Sequence, residues 1–219
     1  GSLAVFGRTT VQVWDMDPDP ALSTLRQTLG GTGLMARNAL ARFGTGDVLY
    51  LSDTGIRSLR VRDTSLAASV NDVGAPIDPL VIAKRATFDA ATAGVLVGLV
   101  DPLSGNFWLT WETEAFVLAH YPSNKISAWS RFDFGSAVDQ VAVCGSRIAL
   151  RSGNDFFIYG GMVAGQNPFS PNAPASPDVL TDYDASEVVV ETPFMDAGSP
   201  ADRKDWRGID VSCSGTWKV

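Results

Sequence analysis

The sequence predicts an all-β fold of the β-propeller-like kind, with repeated strand–turn–strand blades, long loops and at most one short helix. Its composition favours strands and tight turns, since the 219 residues include 21 Gly and 12 Pro but only 4 Met. Apolar residues make up 45% of the chain, which is enough to build a substantial core. Frequent turn formers between short apolar segments are typical of sandwiches, barrels and propellers.

A strand–turn–strand unit recurs four times along the chain. In each unit, a short apolar segment is followed by a tight turn, such as Asp53-Thr54-Gly55, and by a second apolar segment. The first segments are Leu3–Phe6, Val48–Leu51, Phe107–Trp111 and Arg147–Leu150, and the second segments are Thr10–Trp14, Ile56–Val61, Ala115–Tyr121 and Asp155–Tyr159. Successive units begin 45, 59 and 40 residues apart. Propeller blades, with four strands each, recur at roughly 40–50 residues.

Four further segments between the units have their own patterns. Leu34–Phe43 has helix propensity, but its position before a glycine turn favours the first strand of a blade. Lys125–Phe134 alternates apolar and polar residues, which is typical of a half-buried strand, and Gln140–Cys144 follows it as another strand. Ile77–Phe88, with Pro79 near its start, is predicted to be the one short helix.

The chain divides into three predicted regions. Residues 1–163 hold the propeller-like blades, with an inserted loop around residues 63–81 between the second and third units. Residues 164–186 are rich in Pro, Asn and Ser, which predicts an exposed loop. Residues 187–219 return to a β pattern and stop within it, so we expect this region to be a further β segment, truncated at the C-terminus.

The charge balance disfavours a protein whose main task is to grip nucleic acid. The chain has 17 basic and 24 acidic residues, a net charge of −7, and an acidic chain repels phosphate. The longest apolar run, Gly94–Val100, is far shorter than the ~20 residues of a membrane-spanning helix, so we expect no membrane insertion by this chain.

No motif in the sequence predicts an active site, a cofactor site or a metal site. His120 is the only histidine, which excludes any site that needs two. The segment Gly30–Gly33 has neither a following Lys-Ser/Thr pair nor a preceding predicted strand, so we interpret it as a flexible connection instead of a phosphate loop. The acidic segments Asp15–Asp19 and Glu112–Glu114 lack the ligand spacing of a calcium loop and are interpreted as solvated turns. We therefore predict no catalytic, cofactor-binding or metal-binding residues, and a protein that is not an enzyme.

Two pairs of segments resemble a known family. Gly33–Phe43 leading into Gly46–Leu59, and Lys125–Arg131 followed by Val141–Cys144, are similar to blade segments in the propeller domain of the tail nozzle proteins of short-tailed bacteriophages, the podoviruses. Those proteins are related to the proteins that seal packaged DNA inside the head. The resemblance does not extend beyond Ala164.

The resemblance implies a structural virion protein located in the virion tail, after assembly in the host cytoplasm. It implies a homohexameric ring below the head-to-tail connector that retains packaged DNA and provides its exit channel during DNA ejection. The expected partners are other copies of the chain, the connector or adaptor protein, and tail fibre or tail needle proteins. Double-stranded DNA is expected to pass transiently without specific binding, and an acidic wall suits that role.

An alternative is a receptor- or glycan-binding propeller module or, less favoured, a glycan hydrolase. Its site would combine aromatic and acidic residues, for which the sequence offers Trp108, Trp111, Glu112 and Glu114. However, Trp108 and Trp111 are three residues apart on a predicted strand and therefore point to opposite faces. They cannot form one sugar-binding platform, so the structural role is favoured.

Overall fold

The computed structural model describes residues 1–64, 72–121 and 126–159, which all belong to one compact unit, Gly1–Val188. This part of the chain is mostly β, and its strands form four small antiparallel sheets, here named A to D. Sheet A contains β1 (Ser2–Phe6), β2 (Thr10–Asp15) and β3 (Thr24–Gly30), and sheet B contains β4 (Leu40–Phe43), β5 (Asp47–Ser52) and β6 (Gly55–Ser58). Sheet C contains β7 (Val97–Val100), β8 (Phe107–Trp111), β9 (Glu114–Tyr121) and β10 (Ile126–Asp133), and sheet D contains β11 (Gln140–Cys144), β12 (Arg147–Ser152) and β13 (Asp155–Ile158).

Each sheet is a meander in which strands that follow each other in the chain also pair in space. Tight turns are sufficient for this topology, because antiparallel neighbours need only a short connection. The four predicted strand–turn–strand units are therefore confirmed, each within one sheet. Sheet C has four strands, whereas sheets A, B and D have three each in the described part of the chain.

The sheets pack face to face in chain order, and three clusters of buried side chains lie between them. The first core layer joins Val11 and Leu29 of sheet A to Tyr50 of sheet B. The second core layer, between sheets B and C, is the largest, and its members from the strands include Leu49, Leu51, Ile56, Phe107, Leu109, Trp111, Phe116 and Leu118. The third core layer joins sheets C and D through residues that include Trp108, Val117, Ile148 and Leu150.

Strand β8 shows why sheet C can be covered on both sides. All five of its residues are buried, and its side chains alternate between the second core layer (Phe107, Leu109, Trp111) and the third (Trp108). A strand that is buried on both faces is apolar at nearly every position. Strand β10 is mostly exposed, and it contacts the two layers through Trp129, which packs against Phe107, and Phe132, which stacks on Trp108.

Sheets B and C approach each other closely at Gly98. Its backbone N–H donates to the carbonyl of Asn38 over 2.7 Å. A Cβ atom at this position would lie 2.8 Å from the backbone nitrogen of Leu40. Only glycine permits this approach, so Gly98 sets the distance between β7 and β4.

Three short α-helices occur in the described residues: α1 (Leu59–Thr64), α2 (Asp78–Arg85) and α3 (Ala90–Val95). The predicted helix within residues 77–88 is confirmed as α2, but the expectation of at most one helix was wrong. Helix α3 is capped by Asp89, whose carboxylate accepts the backbone N–H of Thr92 over 2.8 Å. This hydrogen bond lowers the pKa of the Asp89 carboxyl group.

The strand predicted over Ile56–Val61 is too long, because β6 ends at Ser58 and α1 begins at Leu59. The Ser58 hydroxyl accepts the backbone N–H of Val61, three residues later, as an N-cap residue does. The carboxylate of Asp47 accepts the backbone N–H of Arg60 as well, over 3.1 Å. These two acceptors satisfy N–H groups that a helix start leaves without partners, and they stop the strand.

Other predictions differ in detail from the structure. Only Leu40–Phe43 of the predicted strand Leu34–Phe43 forms a strand, and the apolar run Gly94–Val100 is divided between the end of α3 and strand β7. Strand β3 was not predicted. The described residues of the predicted inserted loop, 63–81, include the end of α1, a 3-10 turn at Ala75–Ile77 and the start of α2. The predicted regions 164–186 and 187–219 lie outside the described residues.

Candidate functional site

The aromatic residues proposed for a glycan site are core residues. Trp108 and Trp111 are 1% and 0% exposed. They belong to different core layers, which confirms that they point to opposite faces of β8. Trp108 stacks on Phe132, with ring centroids 5.2 Å apart, and Trp111 packs edge-on against Phe88. Neither ring presents a face on which a sugar could stack.

Glu114 lies at the start of β9 and is almost completely buried. Its carboxylate forms ion pairs with Lys84 of α2 and with Arg131 of β10. The Lys84 ammonium group also lies 5.6 Å from the centre of the Trp111 ring, which is within the range of a cation–π contact. This group of charges joins α2 to sheet C, and it satisfies a carboxylate that would be costly to bury alone.

Glu112 has a separate structural contact. It is the one non-glycine residue with a positive φ, 53°, in the described part of the chain, and it forms the tight turn between β8 and β9. Its carboxylate accepts a hydrogen bond from the Thr92 hydroxyl of α3 over 3.1 Å. Glu112 and Glu114 thus join different helices to sheet C. Glu112 contacts Thr92 of α3, and Glu114 contacts Lys84 of α2.

A buried arginine cluster, which the sequence analysis missed, lies beneath the Asp53-Thr54-Gly55 turn. Arg57 donates to both carboxylate oxygens of Asp78 over 2.8 Å, in the bidentate geometry that favours arginine. A second carboxylate, that of Asp72, lies 3.9 Å from the guanidinium group. Gly55 has φ 127°, and a Cβ atom there would lie 1.9 Å from an Asp78 oxygen. The turn therefore requires glycine, and the cluster ties sheet B to the first turn of α2. The sequence feature that could have indicated this cluster is the charge of Arg57 within the otherwise uncharged strand β6.

The remaining polar motifs also have local contacts. His120 is exposed, and its Nδ1 atom lies 2.7 Å from the hydroxyl of Ser127 on the neighbouring strand. In the acidic segment Asp15–Asp19, the carboxylates of Asp17 and Asp19 each accept a backbone N–H two residues later. Within the described ranges, no group of three or more His, Cys, Asp or Glu side chains is placed to hold a metal ion.

The segment Gly30–Gly33 is a packed connection, so the prediction of a flexible link was wrong. Strand β3 runs directly into it, although no preceding strand was predicted. The Thr32 hydroxyl hydrogen-bonds to that of Tyr50 over 2.7 Å, and both side chains are buried. A Cβ atom on Gly33 would lie 2.3 Å from the carbonyl oxygen of Arg8. Close packing thus explains Gly33, whereas Gly31 faces open space with a positive φ of 68°.

The outer faces of the first and last sheets carry the exposed apolar side chains most suited to a contact. Directly opposed residues of paired strands share a face, so Leu3, Trp14 and Leu25 form one row across the outer side of sheet A. Leu3 and Leu25 are 46% and 45% exposed, and Val5 on the same face is 46% exposed. On the outer face of sheet D, Phe156 is 65% exposed. We treat these two faces as the candidate interaction surfaces.

Comparison with protein-family models, with curated proteins and with solved structures finds no match to this chain. In the part of the chain that the structure describes, no helix combines the length and the apolar character that crossing a membrane requires. The contacts of the described residues are therefore the basis for a functional proposal, together with the sequence resemblance.

Proposed function

We propose that this protein is a structural component of a virion that forms the tail nozzle below the head-to-tail connector, retains packaged DNA and provides its exit channel. The observation that carries the proposal is the stack of four antiparallel sheets, packed face to face in chain order through three core layers. Blades of a propeller pack in this way, so the stack supports a propeller-like module. The resemblance of Gly33–Phe43 with Gly46–Leu59, and of Lys125–Arg131 with Val141–Cys144, to blade segments of nozzle proteins supports the virion role.

The charged residues support a role without catalysis. The buried carboxylate of Glu114 and the partly buried carboxylate of Asp78 are engaged in ion pairs that join helices to sheets. With a net charge of −7, the wall of a channel built from this chain would let DNA pass without holding it. We place the protein in the virion tail, following assembly in the host cytoplasm, without membrane insertion.

Assembly would use the outer faces of sheets A and D. Single exposed apolar residues are common on protein surfaces, whereas a contiguous apolar row marks a site of contact. Leu3, Trp14 and Leu25 form such a row on the outer face of sheet A. We propose that these faces contact neighbouring copies in a hexameric ring, the connector or adaptor protein, and tail fibre or tail needle proteins.

The mass of the purified protein tests this proposal, measured by native mass spectrometry or light scattering, alone and with connector proteins. We expect a six-fold ring, or monomers that form one on the connector. Leu25→Asp should prevent that assembly, because it places a charge within the outer face of sheet A. Leu103→Asp is the matched control, since Leu103 is also exposed, at 60% against 45% for Leu25, but lies in the turn between β7 and β8.

A monomer that ignores connectors would contradict the nozzle role. If such a monomer retained glycans, the receptor- or glycan-binding alternative would replace it, and the hydrolase alternative would follow if the purified protein cleaved them. Equal assembly by both leucine variants would show that the outer face of sheet A is not a contact surface.

A further inference from the structure

A cleft of about 600 Å³ lies between sheets A and B. It lies beyond the row of Phe6, Val11 and Leu29, where the first core layer holds the two sheets together. Its walls are the start of β1, the middle of β2 and β3, the end of β4, the start of β5 and the first residues of α1. Its volume falls within the roughly 300–1,000 Å³ of small-molecule sites.

The lining of the cleft is basic although the chain is acidic. Arg26, Arg42 and Arg60 line it from three different elements. Its one acidic lining residue is Asp47, whose carboxylate accepts hydrogen bonds from the backbone N–H groups of Val48 and Arg60 and from the Ser58 hydroxyl. The lining thus has a formal charge of +2, from three arginines and one aspartate, in a chain of net charge −7. Such a local reversal of sign attracts an anion.

Local structure places Arg26 and Arg42 at the cleft. Arg26 is the extra residue of a β-bulge, since Val13 pairs with Gln27 and Trp14 pairs with Leu25. A bulge redirects side chains and is common beside functional sites. Arg26 also forms an ion pair with Asp15 at 3.6 Å, in which the two side chains are 41% and 53% exposed. On β4, Ala41 and Phe43 pack against the second core layer, so Arg42 between them points towards sheet A.

We propose that this cleft binds a small phosphate monoester, with its phosphate on the arginines and its apolar body against Ala4, Val13 and Leu59. A phosphate monoester carries about −1.5 to −2 charges at pH 7, so the net positive lining attracts it more strongly than a singly charged anion. Its three terminal oxygens can accept from several guanidinium groups at once, whereas one arginine fork satisfies a planar carboxylate. The inference rests on the cleft alone and is independent of the proposed virion role.

Isothermal titration calorimetry of the full chain at fixed low salt tests the proposal, with adenosine monophosphate, adenosine and inorganic phosphate as probes. We expect the monophosphate to bind, inorganic phosphate to bind more weakly and adenosine not to bind. Arg42→Gln should weaken monophosphate binding about tenfold or more, because it removes a charged donor. Arg37→Gln is the matched control, since Arg37 is also exposed but does not line the cleft, and it should preserve the affinity.

Four results would overturn the inference. These are no binding of the monophosphate at millimolar concentration, adenosine or inorganic phosphate binding as tightly as the monophosphate, equal loss of affinity in both arginine variants, and binding of a double-stranded DNA oligonucleotide in preference to the monophosphate. The last result would indicate a general affinity for backbone phosphates. Because Arg42 is exposed, its variant should fold normally, and a thermal melt of each variant verifies this.

Discussion

Sheets A and C are both antiparallel meanders, but they differ in what covers them. Sheet C lies between the second and third core layers, and strand β8 is buried along its whole length. Sheet A has one covered face, where Val11 and Leu29 join the first core layer, and one face on which Leu3, Val5 and Leu25 are about half exposed. Similar apolar side chains therefore have different surroundings in the two sheets.

This difference separates stability from interaction. In sheet C, an apolar residue is held by neighbours on the adjoining sheets, so its loss leaves a cavity. On the outer face of sheet A, the same residue type has solvent beside it, and its loss costs the monomer little. In a stack of sheets that follow one another in chain order, the interior sheets B and C stabilise the fold, and the terminal sheets A and D have an outer face available for contact.

Matched leucine-to-alanine substitutions test the comparison most strongly. Leu118→Ala on β9 should lower the free energy of unfolding by about 2–5 kcal/mol, because Leu118 is fully buried in the second core layer. Leu25→Ala on the outer face of sheet A should change it by less than about 0.5 kcal/mol. Urea unfolding of both variants measures these values. Equal destabilisation would show that the outer face of sheet A is already covered in the free protein.

The ion pairs of the two sheets should differ in their contribution to stability in the same way, with the larger contribution in sheet C. Glu114→Gln should cost about 1–3 kcal/mol, because it weakens the buried contacts of this carboxylate with Lys84 and Arg131. The cost stays below that of a fully buried pair, since Arg131 is exposed and Lys84 is partly exposed. Asp15→Asn, which removes the exposed partner of Arg26, should cost at most about 1 kcal/mol.

Unfolding measured at low and high salt distinguishes these two pairs. The small effect of Asp15→Asn should vanish at high salt, because salt screens exposed charges, whereas that of Glu114→Gln should persist. A salt-independent effect at Asp15, or none at Glu114, would contradict the assignment of the two pairs to different environments.

Two glycine-to-alanine substitutions near the junction of sheets B and C should change the free energy of unfolding in opposite directions. Gly98→Ala should destabilise the protein by about 1–3 kcal/mol, since the new methyl group would press on the backbone of Leu40. Gly94→Ala in α3 meets open space and should stabilise it by about 0.5–1 kcal/mol. Thermal melts of both variants provide the measurement. A neutral Gly98→Ala would mean that sheets B and C can move apart without cost.

The sequence predicts the strands well where local chemistry determines them. Alternation and turn residues located the four strand–turn–strand units, and Pro79 located α2. Prediction failed where a distant partner decides the structure. Ser58 ends β6 because its hydroxyl and the Asp47 carboxylate, eleven residues away, cap α1. Strand β3 was missed because most of its residues are exposed, which leaves no apolar alternation.

The polar sites were still less predictable. Arg57 meets Asp72 and Asp78 across a segment of the chain that contains α1, so a charge within an apolar strand indicates a buried partner but not which residue it is. The basic cleft assembles Arg26, Arg42 and Arg60 from two different sheets and a helix. No local pattern distinguishes these arginines from solvated ones, and only the packing of sheet A against sheet B reveals them.

The smallest effect is expected at the boundary of sheets C and D, where Tyr159 packs edge-on against Trp108 at 4.6 Å. Burial, and then the nearby negative charge of Asp101, raises the pKa of the Tyr159 hydroxyl. The folded protein therefore keeps this proton at pH values where the unfolded chain, with a pKa near 10, has lost it. Since the unfolded state then binds fewer protons, stability falls as the pH rises above about 10 and through the raised pKa.

Tyr159→Phe preserves the ring contact and removes the titrating group. At pH 7 it should change the free energy of unfolding by less than about 0.5 kcal/mol, because the hydroxyl is protonated in both states. Above pH 10 the variant should lose stability less steeply than the parent protein, as measured by urea unfolding across a pH series. Parallel pH profiles would show that Tyr159 is as solvated in the folded chain as in the unfolded one. The edge of Tyr159 would then pack against Trp108 while its hydroxyl stays in solvent.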